Sequence, residues 1–190
     1  GSMGQYNERA LLQKEIQKSA HNHWIFFILF ALCFLCKSGF LHATPVEETL
    51  PTAEHLLKEK SLQKVRERLE VLTHAKWQDA DFDFVNGVIV RAPLRPTYQA
   101  AIDYSLYPRM SSAIKKIHFD KEQSTLEVMG EAGGLKLHSW FKVRFYEQKA
   151  VRYEVVRGDL GGFVAWTYFW NEGRGRTLVI ATGQLPQGKK

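Results

Sequence analysis

The sequence predicts an α+β domain built on a curved antiparallel sheet, and three observations carry that prediction. A helix-period segment, a strand and two short helical pieces come first in the folded part of the chain. From Ile117 onward, β-branched and aromatic residues recur in runs separated by turns of a few residues. In LKLHSWFKVRF, Leu135, Leu137, Ser139, Phe141, Val143 and Phe145 share one face, while Lys136, His138, Trp140, Lys142 and Arg144 share the other, so the sheet has one apolar side to bury.

The chain has 190 residues, 45% of them hydrophobic and 24% charged, a composition that suits one globular domain with appendages. Gly1 and Ser2, ahead of Met3, read as a tag remnant, and residues 1–23 as a polar leader. The formal charge of +6 is spread out: residues 1–43 carry a net +2, and the remainder has 22 basic against 18 acidic residues, interspersed. That is a solvated surface, with no basic stripe on a recognisable reader motif, so no nucleic acid is expected as a partner.

WIFFILFALCFLC, from Trp24 to Cys36, is a 13-residue run without a charge. It is short for a bilayer span, which needs about 20 residues, and fits the apolar region of a secretory signal, with Ala43 before a cleavage point. Residues 24–43 are therefore expected to export the chain, to a periplasmic or other extracytoplasmic site. Uncleaved anchoring, with membrane contact through residues 24–41, competes with cleavage, and a buried core helix comes third. Cys33 and Cys36 both lie inside this run and have no second ligand pair, so they read as small apolar residues rather than a zinc or redox site.

Residues 44–76 read as a linker and an amphipathic helix. Thr52 is a plausible N-cap, and from there to His74 apolar residues at Leu62, Val65, Leu69 and Leu72 make one stripe. Lys58, Glu59, Lys64, Arg66, Glu67 and Arg68 make the opposite face. Residues 77–190 form the main domain. Its first strand is FDFVNGVIVRAPL, with Asn86 and Gly87 marking a bend or bulge, and RPTYQAAIDYSLYPRMSSAIKK gives short helices interrupted at Pro108. Six strands follow, with turns at 120–123, 130–134, 147–150, 158–162 and 171–175. Consecutive hairpins of this kind imply an antiparallel meander.

No residue set for catalysis, a metal or a cofactor stands out. G-x-S-x-G and H-E-x-x-H are absent, and His138 and Ser139, adjacent on a strand, point to opposite faces and form no dyad. GDLGG, from Gly158 to Gly162, lacks the strand-to-helix context of a phosphate loop and reads as a hairpin and strand bend.

RAPLRPTYQAAIDYSLYPRMSSAIKKIHF resembles the bacterial polyketide cyclase and coenzyme Q-binding branch of the START-like, or Bet v 1-like, helix-grip superfamily. So does VVRGDLGGFVAWTYFW followed by GRGRTLVIATG. The resemblance spans about Asp81 to Leu185. It implies a helix-grip fold with short helices after the first strand, and capture of a hydrophobic small molecule such as a lipid, isoprenoid, quinone or polyketide. Tyr98, Tyr104, Tyr107, Phe141, Phe145, Trp166 and Tyr168 fall on elements that would face such a cavity, with Asp103 and Arg109 as head-group candidates. Family members that cyclise polyketides use tyrosine and arginine, so Tyr98 or Tyr104 with Arg109 would serve an enzyme in the same cavity. The superfamily's usual C-terminal helix is expected to be missing from this sequence, which ends at LPQGKK: either the chain is cut short there or something else covers the apolar face. The apolar face would then be covered by the helix at 52–74, by a partner helix or by a second copy, and an adaptor whose open sheet face receives a partner helix is a further reading.

Overall fold

Turns of two to five residues join most consecutive strands, and strands joined in this way pair with each other. The computed structural model describes residues 49–78, 81–132 and 134–185. The polar leader, the apolar run with Cys33 and Cys36, and the residues after Leu185 lie outside the described residues.

Helices α1 (Ala53–Leu56) and α2 (Glu59–Arg68) lead into strands β1 (Leu72–Gln78) and β2 (Asp81–Val90). Helix α3 (Leu94–Ile102), a 3-10 turn (Tyr104–Leu106) and helix α4 (Tyr107–Met110) follow. Six strands complete the described chain: β3 (Ile114–Asp120), β4 (Thr125–Ala132), β5 (Leu135–Tyr146), β6 (Ala150–Gly158), β7 (Val164–Gly173) and β8 (Arg176–Leu185). All eight strands form one antiparallel sheet in the order β1-β2-β8-β7-β6-β5-β4-β3. The six-strand meander is as expected, and β1 is an additional edge strand.

The expected helix over 52–74 is therefore shorter. It is split between α1 and α2 and ends at Leu69, which adopts the left-handed conformation (φ 55°), and Leu72 to His74 belong to β1. Leu72 to His74, at the end of the segment, pair with Val85 to Gly87 of β2, and that pairing overrides the helical stripe.

The sheet buries both faces against different partners. One core joins Phe82, Phe84 and Val88 of β2 to Leu126 and Val128 of β4, Phe141 and Val143 of β5, Val151 and Tyr153 of β6, Phe169 of β7 and Val179 of β8. Tyr98, Tyr104 and Tyr107 join it from the helical pieces. With strands about 4.8 Å apart, a flat sheet would hold β2 and β4 too far apart for one cluster, so this is the concave, inner face. A second core on the outer face joins Ala53, Leu57, Leu62 and Val65 of the first two helices to Ile89, Leu178 and Ile180. The N-terminal helices thus cover the outer face, and the expectation that they are one candidate cover for the inner face does not hold.

Asn86 and Gly87 do not bend β2, which pairs with β8 without a register shift from Phe82 to Val90. Gly87 instead admits the helices: a Cβ there would lie 3.0 Å from Leu57 Cδ1. A bulge lies instead in β6, where Trp140 and Phe141 of β5 pair with Arg157 and Val155 and leave Val156 unpaired, and further register shifts occur between β3 and β4 and between β7 and β8. Gly158 follows with φ +93°, and a Cβ there would run into the backbone of His138 and Ser139. GDLGG is a hairpin and strand bend, as read from the sequence.

Candidate functional site

The helical pieces place tyrosines over one end of the inner face. Pro96 lies in the first turn of α3, where its missing N–H costs nothing, and Asp103 ends the helix by accepting a hydrogen bond from the Ser105 N–H at 3.2 Å. The break between the helical pieces is thus at Asp103. Pro108 sits in the first turn of α4 rather than interrupting a helix.

Tyr98 projects from α3 and packs edge-on against Phe169 of β7, ring centroids 5.3 Å apart. Tyr104, from the 3-10 turn, packs between Tyr107 and Phe119, and its hydroxyl lies 3.2 Å from that of Tyr153 on β6. Tyr107 donates to the Ala101 carbonyl at 2.7 Å. Phe145 reaches the same group through an edge contact with Phe119. Phe141 lies deeper on β5, 1% exposed.

Two of the aromatic candidates lie elsewhere. On β7 the inner positions are Ala165 and Phe169, so Trp166 and Tyr168, of opposite parity, are on the outer face. There Trp166 stacks on Tyr168 (5.4 Å, 6°), beside Tyr146 and Trp170. The head-group candidates also face away: Asp103 caps the 3-10 turn and is exposed, as is Arg109 on α4. His138 and Ser139 point apart as predicted, His138 to Glu127 at 2.7 Å and Ser139 to the Asp159 carbonyl.

Sequence reasoning missed Tyr153 and Asn86 as site residues. Tyr153 shares strand parity with Val151 and Val155, and Asn86 with Phe84 and Val88, so alternation alone could have found both. Asn86 is 3% exposed, and neither its Oδ1 nor its Nδ2 has a hydrogen-bond partner among the described residues; the same holds for the Tyr98 hydroxyl.

Burial sets the electrostatics. It pushes the Tyr98 phenol up to about 12, with the Glu147 carboxylate adding to the shift, and raises Tyr104, Tyr107 and Tyr153 beyond the ordinary phenol range. All four are protonated hydrogen-bonding groups at neutral pH. The inner positions of β2 to β8 carry no charged side chain among the described residues. No group of three or more metal-ligating side chains occurs among them either.

A curved antiparallel sheet with helical pieces between its second and third strands, closed over an uncharged aromatic face, is a START-like, or Bet v 1-like, fold. The chain is similar to the Zhui aromatase/cyclase from Streptomyces sp. R1128, at 12% identity and TM-score 0.52, over 58% of this chain and 70% of that one. It is also similar to a START superfamily protein from Mycobacterium smegmatis (17% identity, TM-score 0.49, 56% and 78% of the two chains). A third similar structure is Ara h 8.0201 (14% identity, TM-score 0.49, 58% and 81%). At these identities the likeness is one of fold. No protein-family model and no curated protein sequence matches the chain.

Proposed function

We propose that the chain binds a hydrophobic small molecule on the inner face of its sheet, as a carrier or sensor, in the class of lipids, isoprenoids, quinones or polyketides. The observation that carries this reading is the inner face itself: seven strands and three helical pieces contribute to one uncharged surface, with phenol hydroxyls at its helical end. Aromatic rings suit flat or alkyl ligand surface, and a phenol can orient a polar group.

A cyclase-like enzyme on the same face is less well supported. Its tyrosines are held protonated by burial, which suits hydrogen-bond donation and not proton abstraction, and Arg109 is exposed. Export or tethering through residues 24–41 remains part of the proposal on the strength of the apolar run alone. Among the described residues no helix is long and apolar enough to cross a membrane.

Native mass spectrometry with organic extraction, on the full chain purified from cells, tests the reading. A near-stoichiometric lipid or isoprenoid is the expected result. An apo mass, together with no binding of added hydrophobic compounds, overturns it.

A further inference from the structure

We infer that the ligand carries an uncharged polar group with both a hydrogen-bond donor and an acceptor, and that the Asn86 carboxamide reads it. The inference rests on the ligand-binding proposal and deepens it. Asn86 holds its place in the ladder through Ala181 of β8 and Thr73 of β1, so its backbone is provided for. Its side chain is not: both amide atoms are buried on the inner face without a partner, where leaving them unmade is costly.

The neighbours of the amide on the inner face offer it no hydrogen bond. Ala181 is opposite Asn86, and the next row of the inner face pairs Phe84 with Gly183 and Gly183 with Ala165. The Phe84 and Phe163 rings cover Gly183, so what lies beside the amide is apolar surface, against which a ligand's polar group would be the amide's partner. The second unpartnered group, the Tyr98 hydroxyl, belongs to the same inner core.

The charge distribution decides the ligand's polar group. No cation lies at the inner strand positions among the described residues, and the carboxylate of Glu147 acts on Tyr98. A carboxylate or phosphate entering this face would lose its hydration without gaining a counter-charge. A neutral group loses little, and one that both donates and accepts, such as a carboxamide or a hydroxy-ketone, matches the unpartnered Nδ2 and Oδ1 of Asn86.

Three probes with one aromatic body test this by calorimetry on the full chain at neutral pH: 2-naphthamide, 2-naphthoate and 2-methylnaphthalene. The amide is expected to bind at least about tenfold more tightly than the carboxylate. Asn86→Leu should lower amide affinity to that of the hydrocarbon while hydrocarbon affinity stays unchanged. Tyr98→Phe, which removes only a hydroxyl, should weaken the amide without affecting the hydrocarbon, and guards against misfolding of the first variant. Naphthoate binding as tightly as the amide, or variants indifferent to the probe's polar group, would overturn the inference and leave the ligand-binding reading standing. Failure of all three probes, hydrocarbon included, would remove both.

Discussion

Gly183 of β8 lies directly opposite Phe84 of β2, and the Phe84 ring occupies the space a Cβ at 183 would take. The Phe163 ring closes on the same point, 2.8 Å from that position. Two rings therefore stack over one missing side chain, 6.4 Å apart and nearly parallel. Gly183→Ala is expected to force both rings aside and destabilise the domain by about 1–3 kcal/mol, as overpacking does in dense cores. Urea unfolding checks it; an unchanged midpoint would contradict the packing described.

Tyr104 and Tyr153 share one buried hydrogen bond between hydroxyls. Replacing either by Phe leaves the other hydroxyl without that partner, at a cost of about 1–2 kcal/mol, whereas replacing both removes the unmet group as well. The double variant should thus be less destabilised than the sum of the singles. Additive losses in a denaturant-based double-mutant cycle would show that the two hydroxyls are not coupled.

Four buried phenols give the domain a predictable alkaline limit. The unfolded chain ionises its tyrosines near the ordinary phenol value of about 10, while folded Tyr98, Tyr104, Tyr107 and Tyr153 hold their protons to higher pH. Their contribution to stability is present in full below pH 10 and is lost as pH rises from there through the folded values. Ultraviolet difference titration should show these four ionising above pH 10, or together with unfolding. Seven tyrosines titrating as one group near pH 10 in the folded protein would exclude the buried cluster.

The outer helices are clasped to the sheet by charge as well as by packing. Arg66 of α2 grips the Glu172 carboxylate of β7 through Nε and Nη2, at 3.1 and 2.9 Å, and also reaches Glu54. Because Arg66 is 36% exposed, the coupling measured by an Arg66→Ala/Glu172→Ala cycle should be about 0.5–1 kcal/mol and should shrink in high salt. Leu57→Ala, which empties the apolar half of the same contact, should cost more, about 2–4 kcal/mol.

Much of the fold was legible in local pattern. The alternation in β5, the hairpin turns and the helical pieces after β2 are properties of neighbouring residues, and each is present, with the break between the helical pieces moved from Pro108 to Asp103. The site was legible in part. Tyr98, Tyr104 and Tyr107 lie on helical pieces that fold back over the sheet, and all three join the inner core. Trp166 and Tyr168 were assigned to the same face because they are aromatic. Which parity of β7 points inward depends on how the hairpin after Gly158 returns, a matter of register that no residue type announces.

By itself, the sequence determined the class of the domain: alternation with period two and short polar turns oblige an antiparallel sheet with an apolar face. Only the tertiary structure decided what covers each face. The stripe at Leu62 and Val65 would fit any apolar surface, but Gly87 opens a place for Leu57 on the outer side of β2, and steric fit at that one position puts the helices there. The inner face is thereby left to the tyrosines and to Asn86, whose amide becomes a binding group only because the folded strand buries it among apolar neighbours.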